Sequence, residues 1–481
     1  MIADLKPYPS YKDAGLPWLD GLATGWRILR GKGVFSAVDI RSEAGKEELL
    51  TVSASDGVVP RRQKTVTMFM AKSYVGHKLC WPGDLVVNSL WAWMQGLGVA
   101  QHHGLVSSAY SVYRPRPEFT NYARFFHYLI RSAAYKWELQ TRSKGVWLSR
   151  LQLSDIAFMD MSILLPPPDE QATIVRFLDH ANRRLKRTIR AKWKVITLLN
   201  EQKQAIIHRA VTRGLDPNVP LKPSGIPWLG DISAHWEVRK LRNVAALIVS
   251  NVDKHSKANE EPVRLCNYTD VYKNEQITGD LNFMHATATK EEIRRFKIKL
   301  GDVIITKDSE EWDDIGVPAL VAHEADNLVC GYHLAMVRSN QRMLRGEFLL
   351  RTLQDRFVAT QVHVRAKGVT RYGLSHQAIK DMWLPIPRPQ EQSLICVSVA
   401  QDLKQFDTAI NRTEREIALL REYRTRLIAD VVTGKLDVRA AAGNLPDESS
   451  EPEALIEADA LAEGEDTADS DLDAAPEEAE A

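Results

Sequence analysis

Residues that could carry catalysis are sparse in this 481-residue chain. His102 and His103 form the only adjacent histidine pair, and neighbouring side chains on a strand point to opposite faces, which disfavours a shared metal ion. Asp84 and Asp302 each follow a glycine and could resemble a pair of acids, but a Gly-Asp step is typical of a turn between strands. We therefore predict no catalytic residue and no metal site.

Motifs for nucleotide chemistry are also absent. The sequence contains no GxxxxGK[ST] phosphate loop and no GxGxxG, so ATP hydrolysis and dinucleotide binding are not expected of this chain. An Asn-Pro-Pro-Tyr or Asp-Pro-Pro-Tyr segment, which amino-methyltransferases use to hold a flipped adenine, is missing too. The proline run at 166–168 lacks the polar and aromatic residues that this role needs. These absences favour a binding module over an enzyme.

The composition is that of a globular protein, with 44% hydrophobic and 26% charged residues. The four cysteines lie far apart and form no CxxC pair, which predicts a reduced, cytoplasmic protein. No apolar run approaches the roughly 20 residues that a membrane helix needs, so we expect no membrane partner.

The net charge of +1 hides a strong asymmetry. Residues 443–481 contain 15 Asp or Glu and no Lys or Arg, whereas residues 1–442 carry 63 basic and 47 acidic groups, a net charge of +16. A basic body suits a polyanionic partner, although a solvated basic surface is the alternative. The acidic tail has the composition of a disordered segment, which either limits non-specific nucleic-acid contact or is dispensable.

The sequence is duplicated. Each half contains a Gly-(Leu/Ile)-Pro-Trp-Leu segment followed at the same distance by a second tryptophan, then a Gly-Asp step, a Leu-Ser pair, an aspartate, and a proline-rich stretch ending in Glu-Gln. In order, these landmarks are Gly15–Leu19 and Gly225–Leu229, Trp26 and Trp236, Asp84 and Asp302, Leu153-Ser154 and Leu374-Ser375, Asp160 and Asp381, and Pro166–Gln171 and Pro387–Gln392.

After each Glu-Gln pair the two copies run without a gap at an offset of 221. Apolar residues recur at steps of three, four and seven, which predicts a helical stripe facing a partner helix. Proline at the start and glycine at the end suit helices of about 40 residues, or roughly 60 Å. The predicted pairing residues are Ile174, Leu178, Leu185, Ile189, Ile196, Leu199 and Ile206 in the first helix, and Ile395, Val399, Phe406, Ile410, Ile417, Leu420 and Leu427 in the second.

Together these patterns predict an α+β protein in which two similar globular blocks alternate with two long helices. The helices are expected to pair as an antiparallel coiled coil, and the duplication gives the chain internal pseudo-two-fold symmetry. The predicted bounds are 1–168 for the first block, 169–216 for the central helix, 217–388 for the second block, 389–437 for the C-terminal helix and 438–481 for the acidic disordered tail.

This plan resembles the specificity (S) subunit of Type I restriction–modification systems. The resemblance rests on two divergent blocks. Each block ends in a proline-rich stretch, which is followed by Glu-Gln and a long helix. The segments Gly83–Asn88, Gly104–Ser107 and Gly225–Leu229 are similar to recurring pieces of that family. The resemblance covers residues 1 to about 440 and rests on the ordered set in duplicate, since no single motif is decisive.

The resemblance implies a non-catalytic adaptor in which each block is a target recognition domain for one half of a split DNA site. The paired helices would fix the half-site spacing and dock the partner subunits. The implied partners are double-stranded DNA, two modification (methyltransferase) subunits and two ATP-dependent restriction (translocase/endonuclease) subunits. No cofactor is expected on this chain, because S-adenosylmethionine, ATP and Mg²⁺ would bind the partner subunits.

The DNA-contacting residues were chosen by chemistry and position. Lys and Arg contact phosphates, while Arg, Lys, Asn and Gln read base edges. Such residues, with one tyrosine, are predicted to contact DNA where they follow the landmark turns or precede the segment leading into each long helix. They are Arg61, Arg62, Lys64, Asn88, Gln95, Arg142 and Lys144 in the first block, and Lys307, Arg365, Lys367, Arg371 and Tyr372 in the second.

Three other classes remain open at this point. The first alternative is a stand-alone sequence-specific DNA-binding scaffold without methyltransferase partners. The second is a self-sufficient enzyme with an unfamiliar site, which the missing motifs disfavour. An RNA-binding adaptor is the third, and the duplicated plan fits a duplex better than splayed single-stranded bases.

Overall fold

The computed structural model describes residues 5–64, 71, 73–145, 151–369 and 371–446. Alternating apolar and polar residues at 64–70 and 302–307 predict two strands. The first of these strands lies, beyond Lys64, outside the described residues. The predicted strand at 302–307 is confirmed as Val303–Thr306, four consecutive β-branched residues whose stiff side chains suit a pleated, buried strand.

The first block consists of short strands and helices around an aromatic and aliphatic core. Its main sheet is antiparallel, with strand order β4-β11-β8-β9. The strands are β1 (Tyr11–Lys12), β2 (Leu22–Ala23), β3 (Arg27–Arg30), β4 (Phe35–Val38), β5 (Leu50–Ser53), β6 (Gly57–Pro60), β7 (Lys78–Cys80), β8 (Leu85–Val87), β9 (Leu97–Val99), β10 (Gly104–Val106), β11 (Ser111–Pro115) and β12 (Ser162–Leu165). The helices are α1 (Gly31–Val34), α2 (Ala123–Ile130), α3 (Ala133–Arg142) and α4 (Asp155–Met159).

The second block follows the first long helix, α5 (Pro168–Arg213), and precedes the second, α11 (Pro389–Val432). Its main sheet has the order β16-β24-β20-β22-β18. The strands are β13 (Leu221–Pro223), β14 (Asp231–Ser233), β15 (Glu237–Lys240), β16 (Ala245–Val249), β17 (Glu261–Cys266), β18 (Gln276–Ile277), β19 (Met284–Ala288), β20 (Val303–Thr306), β21 (Asp308–Ser309), β22 (Pro318–Val321), β23 (Leu328–Cys330), β24 (Leu334–Ser339), β25 (Tyr372–Gly373) and β26 (Trp383–Ile386). The helices are α6 (Tyr268–Lys273), α7 (Lys290–Phe296), α8 (Gly346–Gln354), α9 (Arg356–His363) and α10 (His376–Lys380).

The two main sheets share a strand order. β4-β11-β8-β9 corresponds to β16-β24-β20-β22, and every neighbouring pair in both sets is antiparallel. The strand that follows the Gly-Asp landmark, β8 or β20, occupies the same place in each sheet. The second sheet adds β18, which is parallel to β22. The common order, with different additions, confirms the predicted pair of similar α+β domains.

Both long helices begin at a proline and end before a glycine. A proline in the first turn loses no hydrogen bond, because the first amide groups of a helix have no partner inside it. Gly214 and Gly434 follow the helices with φ of 79° and 74°, a left-handed conformation that ends a helix and favours glycine. The helices therefore end at Arg213 and Val432, earlier than the predicted 216 and 437.

The chain forms two compact units. In the described part of the chain, unit 1 comprises residues up to 190 and from 416 to 446, and unit 2 comprises residues 191–415. Each unit thus contains one block together with part of both long helices. The predicted plan had set the helices apart from the blocks, but apolar residues of the helices belong to the same buried clusters as the blocks.

Contacts within each unit define the direction of helix pairing. In unit 1, Arg424 Nε donates to Asn182 Oδ1 at 3.0 Å. In unit 2, Lys203 forms an ion pair with Asp407. The α5 number rises between these contacts while the α11 number falls, so the helices pair antiparallel, as predicted. Lys203 and Arg424 occupy the same repeat position, and both interrupt the apolar stripe with a contact to the opposite helix.

Most of the predicted pairing positions face the interior of their own unit. Buried ones are Ile174, Leu178, Leu185, Ile189, Ile196, Ile395, Val399, Ile417 and Leu427. Half-buried ones are Leu199, Ile206, Phe406, Ile410 and Leu420. Phe177 and Leu403 are also buried but were missed, because their partners at the offset of 221 are polar and only positions apolar in both copies were selected.

The predicted start of the disordered tail, at residue 438, is too early in the chain. Residues 438–446 are ordered parts of unit 1, with α12 (Arg439–Gly443) following α11. Val438, Ala442 and Leu445 are buried in the same core as the first block. The prediction of a disordered tail from 438 is therefore wrong for this stretch, where apolar residues still find a core. Residues 447–481 lie outside the described residues.

Candidate nucleic-acid interface

The repeated tryptophan and the repeated Glu-Gln landmark bond to each other. Trp26 Nε1 donates to Glu170 Oε1 at 2.6 Å, and Trp236 Nε1 donates to Glu391 Oε1 at 3.0 Å. Both glutamates lie in the first turn of a long helix, where negative charge is favourable. In unit 1 the Tyr8 hydroxyl also donates to Glu170, and burial together with this bond raises the pKa of Tyr8. These landmarks fasten each block to a long helix.

The Gly-Asp landmarks hold buried ion pairs. Asp84 accepts two hydrogen bonds of 2.8 Å from the Arg114 guanidinium, and Asp302 accepts two of 2.8 and 2.7 Å from Arg338. Both carboxylates are only 2% exposed. Each aspartate also accepts a backbone N–H from the residue three positions earlier in the turn. Each carboxylate is therefore bonded to an arginine, so these aspartates have a structural role and do not resemble catalytic acids.

The remaining landmarks are also structural. Ser154 and Ser375 cap α4 and α10, with each hydroxyl accepting a backbone N–H three residues on. The following aspartates form ion pairs, Asp160 with Arg30 and Asp381 with Lys240. The duplicated signature therefore belongs to the scaffold of each unit.

In unit 2 the structure brings all five predicted DNA-contacting residues to one place. The segment 364–372, here called the basic loop, closes against the end of β20. β25 pairs with β21, so that Tyr372 lies opposite Ser309. The Lys367 and Gly373 backbones exchange hydrogen bonds of 3.1 and 2.9 Å, and Leu374 N donates to Lys307 O at 2.9 Å. Arg365, Lys367, Arg371 and Tyr372 therefore lie in one backbone-anchored loop, and Lys307 lies beside it. Thr370 of this loop lies outside the described residues.

The basic loop presents its charges to solvent. Arg365, Lys367 and Arg371 are exposed, and Val369 is 94% exposed between them. Lys307 is more enclosed, because its Nζ lies 3.9 Å from Asp308 Oδ2 and 5.9 Å from the centre of the Tyr332 ring. The loop thus offers three cationic side chains that can contact phosphates or base edges.

An aromatic pair lies beside this loop and was missed by the sequence analysis. Tyr268 and Tyr272 stack with ring centres 5.5 Å apart, and Tyr272 is exposed. Burial raises the pKa of Tyr268, while the nearby positive charge of Arg371 lowers it in part. A hydrogen bond to Asp314 raises the pKa of Tyr272 to about 12. The spacing of four on a helix could have indicated the stack, but nothing in the sequence connects it to Arg371.

Unit 1 has a loop with the same connections. The Lys144 and Gln152 backbones exchange hydrogen bonds of 3.0 Å in both directions, and Leu153 N donates to Ser89 O at 2.9 Å. Lys144 is exposed at the start of this loop, whose residues 146–150 lie outside the described residues. Arg142 is less available for the predicted DNA contact, because its Nε donates to Glu138 Oε2 at 2.7 Å.

Asn88 and Gln95 make contacts within unit 1. Asn88 Oδ1 accepts the backbone N–H of Leu90 at 3.2 Å, which stabilises the turn after β8. Gln95 has a left-handed backbone with φ of 65°, and its Nε2 donates to the carbonyls of Arg131 at 2.6 Å and Ser132 at 3.2 Å. Both side-chain amides therefore already have partners within unit 1, where the sequence predicts DNA contact.

Arg61, Arg62 and Lys64 follow the β5–β6 hairpin. Arg62 Nε bonds to Glu48 Oε1 at 2.9 Å, yet its side chain is 75% exposed. Lys64 forms an ion pair with Asp56. Burial raises the pKa of Asp56, but hydrogen bonds from Lys64 and Ser55 outweigh it and lower the pKa overall. Arg61 is half-buried.

Arg131 holds this hairpin in place and was not anticipated. Its Nη1 donates to Leu97 O at 2.5 Å and its Nη2 donates to Ala54 O at 2.6 Å. Burial lowers the pKa of Arg131 to about 10. The hairpin tip, the start of β9 and the turn at Gln95 are thus joined through one guanidinium group.

His103, Cys80 and Cys396 have packing roles. His103 stacks on Trp81 with ring centres 4.7 Å apart and bonds through Nδ1 to Cys80 O at 3.0 Å. Burial raises the pKa of the Cys80 thiol to about 12 and that of Cys396 to about 11.

Among the described residues, no group of three His, Cys, Asp or Glu could hold a metal ion. Nor is any helix there long and apolar enough to cross a membrane.

Curated proteins similar to this chain are specificity subunits of type I restriction enzymes. The chain is 21% identical over 310 residues to the MjaVIII specificity subunit of Methanocaldococcus jannaschii, covering 63% of this chain and 68% of that protein. It is 22% identical over 334 residues to the EcoKI specificity subunit of Escherichia coli, covering 68% and 69%. A putative MjaX specificity subunit of M. jannaschii is 19% identical over 207 residues, 43% of this chain, and there the match spans about half of the relative, 47%.

A solved structure shares the fold. It comes from work on complex assembly and conformational transition of the type I restriction–modification system, and it is 17% identical with a TM-score of 0.61. The match covers 86% of this chain and 99% of that chain. No protein-family model matches the sequence.

The fold is that of a duplicated α+β scaffold with two long antiparallel helices. The chain is thus similar in sequence to three curated specificity subunits of type I restriction enzymes, and it shares its fold with a chain from a type I restriction–modification system.

Proposed function

We propose that this chain is the non-catalytic DNA-sequence-specificity subunit of a type I restriction–modification complex. Three relatives carry the name specificity subunit, and the fold is shared with a chain of a type I system over nearly the whole length of that chain. The basic body suits a duplex, since phosphate contacts from Lys and Arg supply much of the affinity for DNA.

Each unit is proposed to read one half of a bipartite DNA site. The observation that carries this proposal is the loop that each unit closes against the strand after its Gly-Asp landmark. In unit 2 this loop presents Arg365, Lys367 and Arg371 on a backbone anchored by hydrogen bonds. The frame is the same in both units while the loop residues differ, as expected if the units read different bases.

The long helices are proposed to set the half-site spacing and to dock modification and restriction subunits. Exposed apolar side chains on α11 support docking, with Leu394 and Val397 on unit 2 and Leu419 on unit 1. Large apolar side chains grouped on a surface favour a protein partner. S-adenosylmethionine, ATP and Mg²⁺ would be bound by those partner subunits.

The test is co-expression with the modification subunit of the same host, followed by long-read mapping of N6-methyladenine. We expect a split methylated motif that disappears when this chain is omitted. A catalytically inactive modification subunit is the matched control, because it keeps the complex but removes methylation. Methylation that is absent, or that persists without this chain, would reject the specificity role and favour a stand-alone DNA-binding scaffold.

A further inference from the structure

The start of α9 is attached to α5 by two side chains that lie one helical turn apart. Asp355 is the N-cap residue of α9, and its Oδ1 accepts two backbone N–H groups of the first turn, at 3.0 and 2.9 Å. Its other oxygen, Oδ2, lies 2.8 Å from Nδ1 of His208 on α5. Gln204, four residues earlier on α5, accepts the backbone N–H of Arg356 at 3.3 Å. The amide groups that a helix leaves without partners at its start are thus held by α5 and by an aspartate bonded to it.

The Asp355 carboxylate depends on His208 because it is shielded from water. Its side chain is 0% exposed, whereas that of His208 is 32% exposed. An ionised carboxylate only accepts hydrogen bonds, so His208 Nδ1 is the donor. The His208 ring also packs against Phe357, with ring centres 4.7 Å apart. A buried carboxylate that loses a donor destabilises its surroundings, and Asp355 reaches water only if the start of α9 moves.

The face of α9 that is turned towards α5 borders a cavity. Arg356, Ala359 and His363 line this cavity of about 480 Å³, together with Gln204 and Ile207 of α5. Steps of three and four residues place the three α9 side chains on one face of the helix. Because a cavity lies along this face, close packing does little there to fix the distance to α5. The polar contacts at the start of α9 therefore determine much of its position.

A second attachment joins α9 to β26. Gln361, only 1% exposed, exchanges hydrogen bonds with the backbone of Trp383. Its Nε2 donates to the Trp383 carbonyl at 2.9 Å, and its Oε1 accepts the Trp383 N–H at 2.8 Å. α9 thus has one fixed point near its end, and the contacts at Asp355 set its tilt about that point.

The end of α9 continues into the basic loop. Arg365 N donates to Val362 O at 3.0 Å and Ala366 N donates to His363 O at 3.1 Å, so hydrogen-bonded turns extend beyond the helix. Lys367 follows directly and begins the backbone pairing that closes the loop. A tilt of α9 therefore displaces the first residues of the basic loop, including two of its cations.

Unit 1 fixes the corresponding helix in another way. α3 precedes the unit 1 loop as α9 precedes the basic loop, but its N-cap residue is Ser132, whose hydroxyl accepts the N–H of Tyr135. Gln95, in the turn after β8, donates to the Ser132 carbonyl at 3.2 Å. The start of α3 is thus attached to its own block, whereas that of α9 is attached to a long helix. A change at His208 is therefore expected to act on unit 2 alone.

We propose that His208 and Gln204 are positioning residues for the basic loop. They fix the start of α9 to α5, and the loop follows the position of α9. The consequence for DNA rests on the function proposed above: a displaced loop reads its half of the site less strictly. Hydrogen bonds to base edges need short distances and good angles, whereas attraction to phosphates acts over several ångströms. Displacement therefore lowers sequence discrimination more than general affinity for DNA.

Hydrogen–deuterium exchange of the full chain tests the attachment without DNA or partner subunits. In His208→Leu the donor to Asp355 is lost, and we expect the amides of α9 and of residues 365–367 to exchange about tenfold faster. His208→Asn places an amide nitrogen where Nδ1 lies, so it should restore most of the protection. Lys203→Gln is the matched control, because it removes an ion pair between α5 and Asp407 of α11 and leaves both attachments of α9 in place.

Two exchange results would overturn the proposal. One is unchanged protection of α9 in His208→Leu, and the other is equal acceleration throughout the main sheet of unit 2, which indicates a general loss of stability. Gln204→Leu removes only the acceptor of the Arg356 N–H, so it should loosen α9 in the same place to a smaller extent. This milder variant gives the answer if His208→Leu does not fold.

Mapping of N6-methyladenine tests the consequence for DNA. With the modification subunit present, His208→Leu should relax the methylated motif in one half and leave the other half unchanged, and His208→Asn should restore the strict motif. General instability would lower methylation at every site without changing the motif. A motif unchanged in both halves, despite faster exchange of α9, would reject the positioning role. If the unmodified chain gives no split motif, the proposed function fails, while the exchange experiment still measures the attachment of α9.

Discussion

Trp236 donates its indole N–H to Glu391 Oε1 at 3.0 Å, and this bond ties the start of the second block to the first turn of α11. Trp26 and Glu170 repeat it in unit 1 at 2.6 Å. The two landmarks that made the duplication visible are thus a donor and its acceptor. Each pair is conserved between the halves because a buried indole N–H needs a partner.

Removing the acceptor in unit 2 should destabilise that unit. In Glu391→Ala the Trp236 indole N–H stays buried without a partner, which costs about 1–3 kcal/mol. Glu391→Gln keeps an acceptor oxygen, so it should lose less than half as much. Thermal unfolding followed by circular dichroism measures both. Equal losses in the two variants would show that the charge of Glu391, and not its bond to Trp236, stabilises the unit.

Breaking the Asp302–Arg338 ion pair should lower the stability of the protein more than Glu391→Ala does. The Asp302 carboxylate is only 2% exposed, so Arg338→Leu leaves a buried charge without its partner. Such losses cost about 3–5 kcal/mol. The double variant Asp302→Asn/Arg338→Leu removes the stranded charge and should recover part of the stability. Urea unfolding of the three proteins gives the comparison, and a double variant no better than Arg338→Leu would contradict it.

Elements of the fold could be predicted from the sequence where one pattern extends over many residues. The helical stripe repeats over two copies, so helix existence, pairing and the duplicated blocks followed from it. The helix ends were less accurate, because a single left-handed glycine at 214 or 434 determines them. The start of the tail was wrong for a similar reason. Val438, Ala442 and Leu445 find a core that only the folded unit 1 supplies.

The interface was harder to predict, since residue type does not reveal which way a side chain points. Gln95 has the chemistry of a base reader, yet its left-handed turn directs the amide to the carbonyls of Arg131 and Ser132. Nothing in the sequence distinguishes Arg131 from a surface cation, but its guanidinium group donates to a carbonyl of the β5–β6 hairpin. The grouping around the basic loop depends on β21 meeting β25, two strands more than 60 residues apart in sequence.

Acid should weaken unit 1 through His127. Burial, with the positive charges of Arg131 and Arg124, lowers the pKa of His127 well below its ordinary value of 6.5. The unfolded chain therefore binds a proton first as the pH falls, so the free energy of unfolding drops below pH 6.5, by up to about 1.4 kcal/mol per pH unit. His127→Asn keeps an acceptor near the Val99 N–H but cannot titrate, and it should flatten this slope. Urea unfolding between pH 7 and 5 measures it, and equal slopes in both proteins would reject the assignment.

Neutralising the basic loop should weaken DNA binding by unit 2 in a salt-dependent way. In Arg365→Gln/Lys367→Gln/Arg371→Gln three exposed cations are lost, and each phosphate contact contributes about 0.9 to the slope of log affinity against log salt. We expect the slope to fall by up to about three, measured by fluorescence anisotropy with a duplex carrying the methylated motif. Lys290→Gln/Arg294→Gln/Lys299→Gln removes the same charge from exposed positions in and just after α7, away from the loop, and is the matched control. If both triple variants lose affinity equally, only the net charge of unit 2 matters. If the loop variant also relaxes the methylated motif in one half alone, the basic loop reads bases as well as phosphates.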